Sequence, residues 1–258
     1  APAKRAAKVS PMAAVSGSTQ NVPVGRAAHA GKGRVELALG VRHATASKKN
    51  WALMTASFAL SIVLALGFTE HSFAHVTKVA DTCRYILSAL GFSEHEIELA
   101  RIAAYLHDIG NLVNRIDHSQ SGAVMAFRIL DKLNMDAEDI ATVVSAIGNH
   151  DEGTGVPVDA VSAALILADK SDVRRSRVRN RDKSTFDIHD RVNYSVKGSS
   201  LKISDDKKII TLRLSIDTRY GNIMEYFEIF MNRMILCRKA AEKLGLIFKL
   251  EINNQPLL

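Results

Sequence analysis

The chain has 258 residues, 47% of them hydrophobic, enough for one substantial core or a main domain with a smaller companion. Its formal net charge of +7 would suit a nucleic-acid binder. However, residues 1–50 hold nine Lys/Arg and one acid, so the remainder is within one charge of neutral and general nucleic-acid binding is not expected. Cys83 and Cys237 lie far apart without a CxxC, which argues against a disulfide framework or a zinc ribbon.

Residues 1–49 form a basic, acid-poor extension whose composition fits a transit-type segment or a disordered tail. The expectation is therefore a soluble protein, cytoplasmic or, if the extension is a transit peptide, plastid or mitochondrial. "NWALMTASFALSIVLALGFT", residues 50–69, is uncharged and just long enough to span a bilayer. Thr55, Ser57 and Ser61 dilute it, and it ends shortly before His75, so it reads as a core helix opening the globular domain. A membrane role is not expected, although the length leaves one open.

From 71 to 178 the signals are helical, and no proline occurs between Pro23 and Pro157. Val76, Val79, Ala80, Cys83, Ile86, Leu87 and Leu90 recur at helical spacing before Gly91. Ser93 with Glu96 predicts a capping box for a helix running to His107-Asp108. A third helix covers about 120–133. A fourth is capped by Asp136, and a fifth, "AVSAALILADKSDVRRSRV", is capped by Asp159 and is apolar almost all round in its first half. Beyond about 185, "VNYSVKGSSLKIS" and "KKIITLRLSID" read as a hairpin turning at Asp205-Asp206. A long helix to Gly245 and a last strand, "LIFKLEIN", complete a ββαβ block. The fold class is mainly α, with residues 50–184 as a helical domain and 185–258 as a small α+β appendage.

His75, His107, Asp108, His118, His150 and Asp169 each sit at or near a helix end or on an inter-helix loop, where antiparallel packing could gather them. Imidazole with carboxylate suits Fe, Mn, Zn or Co rather than Ca. Six such ligands could hold two ions that share Asp108, activate a shared water to hydroxide and clamp oxygens at phosphorus. Any one buried histidine is more often a core residue than a ligand, and spacing alone does not decide among the six. His71 lies four residues before His75 and would share its helical face, as a substrate contact or a support for the site. His29, His43, His95 and His189 carry no such pattern.

The segments "HVTKVADTC", "AAYLHDIGN", "DHSQSGAVMAFRIL", "AIGNHDEGTG" and "ALILADKSD", in that order over residues 70–180, resemble the HD superfamily of metal-dependent phosphohydrolases. The resemblance implies an all-helical HD core and a metal site of His75, His107, Asp108 and Asp169. His118 and His150 would be the additional histidines of the two-metal subclass, with Asp108 bridging two divalent ions. Asn111 stands where many relatives carry a lysine that meets substrate phosphate. "NHDEGTGVP" has one histidine and no GYP, so a cyclic-dinucleotide substrate is not assigned.

After Asp169, "KSDVRRSRVRNRDK" holds seven cations against Asp172 and Asp182. One reading is a solvated helix face. The other extends the helix so that Lys170, Arg174 and Arg175 meet a small phosphorylated substrate. The leading expectation is hydrolysis of a phosphomonoester, phosphodiester or phosphoanhydride, with a nucleotide as substrate and Asp108, His107 and Lys170 at the reacting centre. A di-iron oxygenase on the same ligands and a non-catalytic nucleotide-sensing module are the alternatives. Homo-oligomer formation is compatible with the sequence.

Overall fold

The structure, a computed structural model, describes residues 73–257 apart from 179, 181, 183, 184, 187, 221 and 222. The basic extension, the uncharged 50–69 stretch and His71 lie outside the described residues. Seven α-helices and a four-stranded sheet make up the described part. The helices are α1 (Phe73–Leu90), α2 (Glu94–Leu106), α3 (His118–Lys132), α4 (Ala137–Gly148), α5 (Ala160–Ser171), α6 (Ile188–Ser195) and α7 (Ile223–Lys243). No helix among the described residues is long and apolar enough to cross a membrane.

Local chemistry accounts for the helix ends. Gly91, at φ +89°, stops α1 because its left-handed conformation costs glycine little. Ser93 and Glu96 form a reciprocal capping box on α2. Asp159 caps α5 by accepting from the Ser162 amide, while Asp136 precedes α4 without a side-chain cap. Every residue of α5 from Val161 to Ser171 is buried. It lies against α1, α2, α4 and α7, which explains why its sequence lacks a polar face.

Two expectations need correction. The fifth helix ends at Ser171 and does not run on to Val178; among the described residues a short 3-10 turn, Arg175–Arg177, follows. Tertiary bonds to Asp172 and a fully buried Val173 override the helical propensity of that stretch. "VNYS" is the end of helix α6, and the strand begins at Val196. Val192 and Tyr194 favour strands locally, but Val192 packs into the core from a helix and Tyr194 lies under Arg175.

The strands are β1 (Val196–Ile203), β2 (Ile209–Ile216), β3 (Ile247–Ile252) and β4 (Gln255–Pro256), in that spatial order. β1 and β2 form the antiparallel hairpin, and α7 crosses over so that β3 pairs parallel to β2. The two-residue β4 folds back through Asn253 and Asn254, both left-handed, the conformation a tight type I′ hairpin requires. One continuous buried core joins the helices to the sheet and to Tyr226, Phe230, Met234 and Cys237 of α7.

One glycine controls how α3 approaches the His107-Asp108 junction. After α2 the chain makes a 3-10 turn, Ile109–Leu112, against the start of α3. A Cβ on Gly110 would come within 1.9 Å of the His118 carbonyl and 2.6 Å of the Gly122 amide. Both are backbone atoms, so a side chain there could be admitted only by moving α3. Gly110→Ala is expected to cost about 3 kcal/mol in chemical denaturation and to displace His118; unchanged stability would show that the contact can relax.

Candidate metal centre

Three histidines share one local device. His107 follows α2, His150 follows α4 by two residues, and His118 opens α3 after a left-handed Asp117. Each donates its Nδ1 proton to the carbonyl three residues earlier: Ala104 at 2.7 Å, Ile147 at 2.6 Å and Arg115 at 3.0 Å. Ala104 and Ile147 lie in last helical turns, whose carbonyls lack an intrahelical partner. His75, on the first turn of α1, donates its Nδ1 proton to Asp172 at 2.8 Å. A carbonyl or carboxylate can only accept, so all four neutral rings carry the lone pair on Nε2.

Those Nε2 atoms converge with two carboxylates. His75 Nε2 lies 3.3 Å from Asp169 Oδ1 and 3.7 Å from Asp108 Oδ2. His107 Nε2 lies 3.3 Å from Asp108 Oδ2 and 3.7 Å from Asp169 Oδ1. His118 Nε2 is 3.6 Å from Asp108 Oδ1, the other oxygen of that carboxylate, and 3.2 Å from His150 Nε2. Donors about 2.1 Å from a shared cation stand roughly 3.0–3.5 Å apart, which is the scale of these separations. Among the described residues, two groups gather tightly enough to hold an ion: His75, His107 and Asp169, and His107, Asp108 and His150.

The donor set fits a cation on two further counts. The buried Nε2 of His107 makes no hydrogen bond, an orphan that would be costly without a ligand role. Facing lone pairs on His118 and His150 repel unless a positive charge lies between them. The electrostatics agree. Burial favours neutral His107, yet Asp108 and Asp169 outweigh it and push its pKa up to about 10. Burial, Lys170 and His107 together push His150 down to about 3. The carboxylates thus favour positive charge beside them, and they draw a proton onto His107 while Asp169 itself stays ionised.

Supporting side chains surround the donors. Asp108 sits in the bridge region at φ −93°, ψ 2°, between α2 and the 3-10 turn. Asn111 donates to Asp108 Oδ1 at 2.9 Å and to its carbonyl at 3.0 Å, so it orients the carboxylate. Asp172 is buried, but hydrogen bonds from His75 and Lys78 and the charge of Arg177 hold it below the usual carboxylate range. Lys170 is buried with its ammonium 2.8 Å from Asp169 and 3.3 Å from Glu152. Burial would lower its pKa, but those two carboxylates raise it, so it stays charged. Glu152 in turn meets Arg233 of α7 at 2.7 Å.

Three arginines of the run, Arg174, Arg175 and Arg177, are committed elsewhere. Arg174 pairs with Asp172 at 2.9 Å. Arg175 donates to the Tyr194 carbonyl, stacks on Tyr194 and approaches Asp217. Arg177 is buried and donates to the Asp172 carbonyl. The structure therefore places Lys170 beside the donors and Arg174 behind His75, and turns Arg175 toward the sheet. His95 is paired with Asp139 on the surface. The supporting roles of Asp172, Glu152 and Arg233 are not legible in the sequence. The available signals were a second Asp three residues after Asp169, an acid two residues after His150, and a cation between buried Phe230 and Cys237.

Residues 72–190 match the family model of the HD domain. That segment is similar to an HD domain. Such domains belong to the metal-dependent phosphohydrolase superfamily, and all six converging donors lie within the matched residues. An uncharacterised protein of Methanocaldococcus jannaschii is 29% identical over 167 residues, covering 56% of this chain and 64% of the relative. The chain thus spans just under two thirds of that relative's length.

The Arg233–Glu152–Lys170–Asp169 row ties α7 to the HD donors and is testable. Arg233 and Lys170 hold Glu152 below its ordinary range against burial. Its contribution is therefore full above the unfolded value of about 4.3 and lost as pH falls through the lower folded value. Arg233→Met should cost about 3 kcal/mol at neutral pH. In urea titrations the gap from wild type should narrow below about pH 4 as Glu152 is protonated; a gap independent of pH would separate Arg233 from this row.

Proposed function

We propose that the chain is a phosphohydrolase that uses two divalent cations and acts on a small phosphorylated substrate, a nucleotide in the first instance. The observation that carries this reading is the division of Asp108: one oxygen faces His75 and His107, the other His118. His75, His107, Asp108 and Asp169 would hold one cation, and His118, His150 and Asp108 the second. The donor chemistry suits Fe, Mn, Co or Zn. Bound there, the ions supply Lewis acidity toward a phosphoryl oxygen and lower the pKa of water toward neutrality.

The chain's own residues position and insulate. Backbone carbonyls and Asp172 fix the four imidazoles, so they need little reorganisation on binding. Asn111 keeps Asp108 turned between the two histidine groups. Lys170 offsets the charge of Asp169; with its pKa raised and its head in an ion pair, it is assigned to positioning and not to proton delivery. With Arg174 and Arg175 engaged by protein partners, neither is assigned to substrate phosphate.

The test is elemental analysis of freshly purified protein, then a phosphate-release screen over nucleoside mono-, di- and triphosphates with the metal supplied and oxygen uptake followed in parallel. Two metal equivalents and phosphate release are expected. Asp108→Ala should lose both, and Asp172→Ala should weaken metal binding about 10–100-fold. Oxygen consumption without phosphate release would establish the oxygenase reading, and a metal-free, folded and inert protein the sensing one.

A further inference from the structure

The outer face of α7 takes no part in the core or the metal centre. Its inner side carries Tyr226, Phe230, Met234, Cys237 and Ala241 into the core. Its outer side exposes Met224, Glu228, Met231, Ile235, Arg238 and Glu242. Those positions advance alternately by four and three residues, the heptad spacing of a seam that faces another helix. Met224, Met231 and Ile235 are 74%, 48% and 38% exposed. Single apolar residues on a surface are ordinary, but three in register on one helical stripe are not scattered.

We propose that this stripe is a self-association surface, on which a second copy of the chain lays its own α7 antiparallel about a two-fold axis between Met231 and Ile235. The charges select that arrangement. An antiparallel two-fold sets Met231 against the partner's Ile235 and Glu228 against the partner's Arg238, each contact occurring twice. A parallel pairing would set Glu228 on the partner's Glu228 and Arg238 on the partner's Arg238, opposing like charges at both ends. In the antiparallel pair Met224 lies along the aliphatic stem of the partner's Glu242. The exposed Lys239 and Lys243 fall opposite the partner's Phe227 and Ile223, so no like charges meet there. Arg238 also lies 3.8 Å from Glu242 of its own helix, which keeps it on the seam.

A 21-residue helix is about 31 Å long, and one helix pair is at the small end of specific interfaces, so the dimer is expected to be concentration-dependent. Sedimentation equilibrium of the full chain should show a mass rising from 28.2 kDa toward twice that value with concentration. Glu228→Arg and Arg238→Glu should each abolish the rise, since each opposes like charges twice. The double variant should restore it. All are surface changes, and circular dichroism checks that each variant is folded. A monomer at every concentration, a dimer indifferent to either reversal, or a double variant that stays monomeric overturns the proposal.

Discussion

A proton on Nδ1 of each of four histidines constrains the centre of this molecule. With that proton donated to a carbonyl or to Asp172, the ring has one other nitrogen, and its lone pair points inward. Four such lone pairs and two carboxylates in one buried place repel one another unless positive charge is present. Helix ends suit this arrangement because their last carbonyls are acceptors that the helix itself cannot satisfy. The same carbonyl that would need a cap serves as the anchor of a ring. This explains why His107 and His150 sit just past the ends of α2 and α4 and not within those helices.

The charge required at the centre is balanced outward in alternating layers. Asp169 is held by Lys170, Lys170 by Glu152 and Glu152 by Arg233; on another side Asp172 collects His75, Lys78 and Arg174. The buried ions among these, Asp169, Lys170 and Asp172, would be expensive alone, and each is kept charged by its neighbours. Because Arg233 comes from α7, the segment after the HD domain takes part in the electrostatics of the donors. Phe230, one turn earlier, lies under the Arg233 guanidinium at 4.2 Å and fixes its direction. The ββαβ block is therefore tied to the site by charge as well as by the shared core.

Much of this was legible in the residues. Ser93 with Glu96, Asp159, Gly91 and Gly245 mark helix ends by chemistry that acts within four residues, and the structure has those ends there. The histidines and aspartates stood out because each lay at such an end. Long-range compensation was not legible. The chain leaves α5 at Ser171 because Asp172 is needed by His75, 97 positions earlier, and no local propensity reports that demand. Glu152 and Arg233, 81 positions apart, look in sequence like an ordinary loop acid and an ordinary helix cation. Strand β4 escaped notice for a smaller reason, since two residues are too few to show alternation and only the paired Asn253-Asn254 signals the turn.

Asn111 bears on how the site would meet an anion. A lysine at that position would bring a fixed positive charge to Asp108, where it could face a phosphate but would also compete with a cation for the same carboxylate. An amide donates a hydrogen bond without that charge, leaving Asp108 Oδ1 anionic toward His118 and His150. Lys170, Arg174, Arg175 and Arg177 are likewise spent on Asp169, Asp172, the Tyr194 carbonyl and the Asp172 carbonyl. Those four cations therefore give no support to a phosphate ligand, and the donor cluster has to carry that reading. It can do so because two divalent ions, if held there as proposed, would leave a net positive charge over the two carboxylates. That excess would attract a phosphoryl group and vanish with the metal, so substrate affinity and metal occupancy should rise and fall together.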